Sequence, residues 1–191
     1  RKIKSNLRAW NQGAKSEQQE STSKLIYMPS ISVTEKLLSD NDFVPIQSVL
    51  MGENFPWFTT FKCYDIARED ATNIQFVHNF YSNEKPFSNY FDLLKPIFDK
   101  INVRSLVRVK ANLQPRTHER ITYGMHTDND LNCNTAIYYI NTNNGETLFE
   151  NKQTVTSEEN KIVVFPSHFK HAATTNTCDK KYRIVLNLNY F

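Results

Sequence analysis

Two histidines and one aspartate have the types and spacing of a mononuclear metal site. His126 and Asp128 are separated by one residue, and His171 lies 43 residues beyond Asp128. If the first pair lies on a strand, both side chains point to the same face, so an imidazole and a carboxylate can meet at one ion. Two imidazoles and one carboxylate form the facial set typical of non-haem iron(II), but a catalytic zinc takes the same donors. The residues therefore predict a metal site without selecting the metal.

Arg183 adds an anion-binding group to this prediction. It lies twelve residues after His171 and begins the last apolar run of the chain. An arginine that points into a barrel needs an anionic partner, because an unpaired buried charge is costly, and its planar fork suits a carboxylate. A metal triad together with this arginine predicts a ligand that bridges the two. 2-Oxoglutarate meets the requirement, since its keto-acid end chelates iron and its distal carboxylate can reach the guanidinium.

Composition limits the classes of protein that could carry such a site. The chain has 191 residues, 39% of them hydrophobic, which suits one domain with a sizeable core. Its four glycines and seven prolines exclude collagen-like and P-loop sequences. No apolar run approaches the roughly 20 residues of a membrane span, so we expect no membrane partner. Three cysteines without CxxC spacing indicate a reducing compartment rather than a disulfide framework.

The first 24 residues form a basic, polar arm. They hold six basic and two acidic side chains, a charge of +4, so the other residues sum to −1 within the total of +3. This composition predicts disorder in isolation and a solvated tail rather than a nucleic-acid contact. If something orders the arm, assembly contacts with a neighbouring chain are its expected role.

Residues 25–105 are predicted to form an N-terminal α/β support region. Its expected elements are strands over Leu25–Met28 and Phe43–Val49, a short helix over Ser32–Ser39, and a helix over Ser88–Ile101 that Pro96 interrupts.

Residues 106–191 are predicted to form a β-rich core. Apolar and β-branched runs with a period of two lie over Arg104–Asn112, Asn134–Asn141, Lys161–Phe165 and Arg183–Phe191. Short strands at close intervals, preceded by helical material, predict a mainly β fold: a jelly-roll or cupin-like barrel with a helical support.

Several motifs follow one another in this C-terminal part: His126-Thr127-Asp128, Thr135–Asn141, Gly145, Phe165-Pro166, His171 and Arg183. Together they resemble the prolyl 4-hydroxylase-like branch of the 2-oxoglutarate/Fe(II) dioxygenases. The likeness includes the hypoxia-sensing prolyl hydroxylases and is closer to small oxygenase-like proteins of bacteriophage genomes. It covers about residues 106–191, and the Phe55-Pro56-Trp57 cluster extends it more loosely. The fold that this resemblance implies is a double-stranded β-helix.

The resemblance also assigns the central residues of the site. It implies that His126, Asp128 and His171 are the iron ligands and that Arg183 holds the distal carboxylate of 2-oxoglutarate. His168 competes with His171 as the third ligand, but the spacing from the preceding proline in the family favours His171.

Further positions carry over to the pocket. Tyr139 matches a tyrosine that hydrogen-bonds to the distal carboxylate, and Tyr123 matches one that lines the iron pocket. Asn187 and Asn189 stand where relatives often have a small or hydroxyl residue and then a tryptophan. By strand parity both share the face of Arg183, so we expect a more polar substrate pocket. A tyrosine expected on the strand before the HxD motif has no clear counterpart, and Asn112 stands near its place.

The activity implied by the resemblance is hydroxylation of a C–H bond with Fe(II), 2-oxoglutarate and O2, and with ascorbate as reductant. The branch implies a prolyl residue in a peptide or protein as the target, while a free amino acid or another side chain stays open. We expect a cytoplasmic location, in the host cell if the chain is phage-encoded.

A structural or binding role is the alternative. Oxygenase-like domains can be reused as components of a viral particle, with the site vestigial or only incidentally active. A zinc hydrolase with the same ligands is a third interpretation, but no obvious general base accompanies the ligands and Arg183 would have no role.

Overall fold

The computed structural model describes residues 30–60 and 74–191. The basic arm and the strand predicted over Leu25–Met28 lie outside these residues. The elements in chain order are β1 (Ser32–Thr34), α1 (Asp40–Met51), β2 (Phe58–Thr60), β3 (Gln75–Ser82), β4 (Lys85–Pro86), a 3-10 turn (Phe91–Leu94), α2 (Lys95–Lys100), β5 (Leu106–Pro115), β6 (Asn134–Tyr139), β7 (Glu146–Phe149), β8 (Thr154–Thr156), β9 (Lys161–Pro166), β10 (His171–Ala173) and β11 (Tyr182–Tyr190).

Two antiparallel sheets pack face to face. The large sheet has eight strands in the order β1-β9-β6-β11-β5-β3-β2, with β4 paired to β3, and the small sheet has the order β10-β7-β8. The antiparallel bridges Thr122–Thr174 and His126–His171 add a further segment beside β10. The predicted mainly β jelly roll with helical support is confirmed.

Strict alternation along β11 separates the two faces of the large sheet. Ile184, Leu186 and Leu188 are buried in a core that also contains the buried apolar residues of both helices. Val185 belongs instead to a second core, which joins the large sheet to β7 and β8 of the small one. Because neighbouring side chains on a strand point to opposite faces, one face supports the helices and the other faces the space between the sheets.

Two predictions for the N-terminal region are wrong. Phe43–Val49 is part of helix α1 rather than a strand, since Phe43, Ile46 and Leu50 recur at helical spacing and bury one face. Ser32–Ser39 is not a helix: Ser32–Thr34 is strand β1, which pairs with the edge of β9. The side chains of β1 are exposed and bury little apolar surface, so backbone pairing with β9 makes this segment a strand.

The region predicted as one helix over Ser88–Ile101 is shorter and divided. A 3-10 turn leads into α2, and Pro96 lies in the first turn of that helix, where its missing N–H removes no helical hydrogen bond. The Ser88 hydroxyl accepts a hydrogen bond of 3.0 Å from the backbone N–H of Tyr90.

The four longer runs predicted as strands are confirmed as β5, β6, β9 and β11, with bounds shifted by up to three residues. The short strands β7, β8 and β10 were not predicted, because three or four residues carry too little alternation to reveal a period. Among the described residues, no helix has both the length and the apolar character needed to cross a membrane.

The buried face of α1 predicts where the helix contributes to stability. Ile46 is completely buried, whereas Val44 on the same helix is 50% exposed. We expect Ile46→Ala to lower the free energy of unfolding by about 2–5 kcal/mol through lost contacts and a cavity. Val44→Ala, the matched control, should change it by about 0.5 kcal/mol or less. Urea unfolding followed by circular dichroism measures both, and equal effects would contradict the assignment of the buried face.

Candidate metal centre and anion site

The three residues predicted as metal ligands meet between the sheets. An antiparallel bridge joins His126 to His171 at the start of β10, with N–H to carbonyl distances of 3.0 and 2.9 Å. Asp128 follows two residues after His126, so its carboxylate turns toward the same point. One donor atom from each of the three side chains lies within 4.8 Å of the others. Sequence-distant residues are thus brought together by backbone pairing across the small sheet.

Both imidazoles are oriented by backbone carbonyls. Nδ1 of His126 lies 3.1 Å from Gly124 O, and Nδ1 of His171 lies 3.1 Å from Phe169 O. A carbonyl can only accept, so each Nδ1 carries the hydrogen and each Nε2 is left with a lone pair for a cation. Burial lowers the pKa of His171, against the opposing effect of the Asp128 charge. The neutral, ligand-competent form is therefore favoured.

The carboxylate of Asp128 is the most heavily bonded group of the site. Its side chain is 4% exposed and lies 3.0 Å from Nη2 of Arg108. The amide of Asn187 donates to both oxygens at 3.2 and 3.1 Å, and the amide of Asn189 donates at 3.3 Å. Burial alone would raise the pKa of this carboxyl, but the charges of His171 and Arg108 and these amides outweigh it and lower the pKa. The ionised form, which a cation needs, is held in place.

Arg183 lies at the far end of the same face and is 2% exposed. Its Nε donates to Ser157 Oγ at 2.7 Å, Nη1 to Gln114 Oε1 at 3.1 Å, and Nη2 to Thr147 Oγ1 at 3.2 Å. All three acceptors are neutral, and no ion pair of Arg183 with a carboxylate occurs within residues 30–60 and 74–191. Burial lowers the pKa of the guanidinium. A buried cation with only neutral partners marks a place for an anion.

Close packing keeps Arg183 in this position. A Cβ atom added to Gly145 would lie 2.6 Å from Cδ of Arg183 and 2.9 Å from Oδ1 of Asn143. The Tyr139 ring lies 5.6 Å from the guanidinium carbon, and its hydroxyl donates to Thr147 Oγ1 at 2.8 Å. Glycine at position 145 therefore makes room for the arginine.

One cavity of about 680 Å³ connects the two sites. The three candidate ligands, Arg183, Tyr123 and Asn187 all line it. Asn189 does not line it but donates to Asp128 and, at 2.9 Å, to Thr135 Oγ1. Asn187 thus lines the cavity and also holds the Asp128 carboxylate, whereas Asn189 holds the carboxylate from outside the cavity.

From β5, sequence reasoning had named only Asn112 and missed the other residues that line the cavity. Arg108, Lys110, Asn112 and Gln114 alternate with the core residues of this strand and all line the cavity. Four polar residues at a period of two in an otherwise apolar run were a readable signal, because such a strand must turn one face to a polar space.

The remaining histidines lie away from the cavity. His168 is exposed, and so is His118, which lies between β5 and β6. His78 is buried among aromatic rings, with Nδ1 2.8 Å from Pro56 O and Nε2 2.7 Å from Ser88 Oγ. It therefore has the role of a satisfied core residue.

Solved structures resemble this fold, whereas no protein-family model and no curated protein matches the sequence. An oxidoreductase of the 2OG-Fe(II) oxygenase family from Burkholderia pseudomallei is 14% identical, with a TM-score of 0.59 and 84% of each chain covered. A prolyl hydroxylase from Trichoplax adhaerens, in complex with a hypoxia-inducible factor peptide fragment, is 11% identical, with a TM-score of 0.58 and coverage of 84% of this chain and 83% of that one.

A non-heme alpha-ketoglutarate-dependent epimerase of nogalamycin biosynthesis is 10% identical to this chain. Its TM-score is 0.60, and the match covers 85% of this chain and 78% of the epimerase. The chain therefore has the jelly-roll fold of the 2OG-Fe(II) oxygenases. Since hydroxylases and an epimerase share this fold, the fold does not select the reaction.

The geometry predicts which histidine completes the metal site. We expect His171→Ala to weaken binding of Fe(II) or Mn(II) more than the roughly 10–100-fold caused by loss of an outer partner of a metal ligand. His168→Ala, the matched control three residues before β10, should bind the metal like the unaltered chain. Anaerobic calorimetric titration measures both affinities. If the two variants exchanged these effects, the third ligand would be His168.

Proposed function

We propose that the chain is an Fe(II)- and 2-oxoglutarate-dependent dioxygenase that hydroxylates a C–H bond, with a prolyl residue of a peptide or protein as its target. The observation that carries this proposal is the buried Arg183. It has only neutral partners among the described residues and opens on the same cavity as two histidines and an aspartate.

The donor set fits iron(II). His126, Asp128 and His171 would hold the metal through two imidazole nitrogens and one carboxylate oxygen, the facial set of non-haem iron. Arg183 would bind the distal carboxylate of 2-oxoglutarate through its fork, beside the hydroxyl of Thr147. Iron(II) with 2-oxoglutarate and O2 supplies the oxidising power for hydroxylation, and succinate and carbon dioxide are the co-products.

The protein's own contribution is to orient groups and to limit water. The carbonyls of Gly124 and Phe169 set the imidazole orientation, and Asn187 holds both oxygens of Asp128. Ile137 and Val185 line the cavity between the two sites with apolar surface. Such preorganised surroundings reduce the cost of positioning the reactants.

The prolyl target is supported by the motif resemblance and by one structural neighbour. The Trichoplax protein is a prolyl hydroxylase in complex with a peptide fragment. The cavity is also large enough for a side chain or small molecule beside the cosubstrate, since ligand pockets commonly measure about 300–1,000 Å³.

Because Arg183 is not one of the three candidate metal ligands, a change at this position should affect the binding of 2-oxoglutarate and not the binding of the metal. We expect Arg183→Lys to keep Fe(II) affinity but to weaken 2-oxoglutarate binding by about 10–100-fold, because a charged pair of hydrogen bonds contributes roughly 1.5–3 kcal/mol. Gly145→Ala should also weaken 2-oxoglutarate binding, because the new methyl group would displace the side chain of Arg183. Calorimetric titration of 2-oxoglutarate into the iron-loaded protein without oxygen measures both. Unchanged cosubstrate affinity in Arg183→Lys would show that the anion is a different one.

Turnover tests the reaction itself. With Fe(II), 2-oxoglutarate, O2 and ascorbate, a proline-containing peptide should stimulate succinate release and gain one oxygen atom, as mass spectrometry would show. Asp128→Ala should abolish both, because one metal ligand is lost, while the surface control His168→Ala should keep them. Peptide-stimulated turnover without a mass increase on proline would refute the prolyl target and leave the oxygenase assignment standing.

A further inference from the structure

A second pocket, of about 370 Å³, lies beside the cavity that holds the candidate metal site. We call it the aromatic pocket, and the residues that line it include Pro56, Phe58, His78, Asn79, Phe87 and Tyr90. Phe58 and Phe87 are 61% and 56% exposed, so more than half of each side chain is open to solvent. The Lys85 ammonium lies 5.7 Å from the centre of the Phe87 ring, but no Asp, Glu, Lys or Arg of the described residues lines the pocket. The aromatic pocket therefore offers a mainly apolar surface.

His78 holds the walls of the aromatic pocket together. Its Nδ1 donates to Pro56 O at 2.8 Å, because a carbonyl can only accept, and its Nε2 therefore accepts from the Ser88 hydroxyl at 2.7 Å. The same hydroxyl oxygen accepts the backbone N–H of Tyr90. The Phe55 ring packs against both rings, with its centre 4.5 Å from that of His78 and 5.2 Å from that of Tyr90. The pocket is thus formed in advance, which lowers the cost of ordering it around a ligand.

Asn79 connects the aromatic pocket to the cavity, because it lines both. In the register of the large sheet, Asn79 on β3 and Asn187 on β11 both lie opposite Lys110 on β5. Neighbouring strands are about 4.8 Å apart, so roughly 10 Å separate the backbone of Asn79 from that of Asn187, which holds the candidate metal ligand Asp128. An extended peptide advances about 3.3 Å per residue, so about three residues span this distance.

We propose that the aromatic pocket is a specificity subsite for a peptide substrate, and that it binds an apolar side chain about three or four residues from the residue that is hydroxylated. The inference deepens the proposed function and rests on it. A peptide chain can enter both spaces because they share Asn79, whereas a free amino acid is too short to do so. An apolar side chain placed against Phe58 and Phe87 removes exposed apolar surface from water, which favours binding. A polar side chain at the same place would lose water and gain less.

Peptides that differ in one side chain test the position of the subsite. The reference is an acetylated and amidated nonapeptide with proline at its centre and serine elsewhere, in which leucine or its similarly shaped polar counterpart asparagine replaces each serine in turn. Anaerobic calorimetric titration into the protein loaded with Fe(II) and 2-oxoglutarate measures the affinities. About three or four residues from the proline, on one side of it, we expect leucine to bind at least about 10-fold more tightly than asparagine. Next to the proline, the difference should be about threefold or less.

Variants of the two exposed rings connect the preference for leucine to the aromatic pocket. Phe58→Ala and Phe87→Ala should each reduce it to about threefold or less, and Phe87→Leu, which keeps an apolar side chain, should retain most of it. Phe191→Ala is the matched control, since it removes a ring that is 47% exposed and lines neither space. Its preference should equal that of the unaltered chain. Phe58 and Phe87 do not line the cavity, so the affinities for Fe(II) and 2-oxoglutarate should stay unchanged. Circular dichroism of each variant checks that the fold is retained.

Defined outcomes overturn the inference. Equal affinities of the leucine and asparagine peptides at every position, no binding by any leucine peptide, or a full preference in both alanine variants would each refute it. A dimer that dissociates in Phe87→Ala, together with no preference for leucine, would assign the pocket to a second copy of the chain.

The proposed function is tested separately by the 2-oxoglutarate titration that precedes each experiment. If that titration fails, the cosubstrate assignment is wrong, and the same peptides titrated into the metal-free protein still test the aromatic pocket. A preference for leucine that Phe87→Ala removes supports the subsite even where proline gains no oxygen atom, and in that case the prolyl target alone is wrong.

Discussion

The central physical feature of the space between the sheets is a buried guanidinium that has no anionic partner among the described residues. Arg183 satisfies its hydrogen bonds through Ser157, Gln114 and Thr147, but none of these neutral groups balances its charge. Such an arrangement is costly for stability alone, because desolvation of the cation is not repaid by an ion pair. Arg183 lines the cavity, and Gly145 leaves room for it, an arrangement that fits the proposed binding of an anionic ligand.

The other end of the cavity has the opposite electrostatic character. There the buried carboxylate of Asp128 is held by a cation and two amides, beside two imidazoles that each place a ring nitrogen within 4.8 Å of the other donor atoms. The candidate anion site and the candidate metal site thus share one cavity, and a ligand that both chelates a metal and carries a second carboxylate would occupy them together. The strands place the two sites simply: β11 carries Arg183 and Asn187 four residues apart on one face.

How well the sequence predicted the molecule depended on how local each signal was. The runs that became β6, β9 and β11 are rich in β-branched and aromatic residues, and this composition reveals the strands. Phe43–Val49 failed because a short apolar run fits a strand and a helix equally, and Ser32–Thr34 failed because its conformation depends on pairing with β9, more than a hundred residues away. The arm and its neighbouring strand lie outside the described residues and stay predictions.

By itself, the sequence determined the donor types, their spacing and the face of β11 on which Arg183, Asn187 and Asn189 lie, because a period of two follows from local backbone geometry. Only the tertiary structure decided that His171 pairs with His126 across the small sheet, that both asparagines hold Asp128, and that β5 supplies Arg108 and Lys110 to the cavity. These facts depend on which strands pair and in what register. That choice is made by burial over the whole core, and no single stretch of sequence contains it.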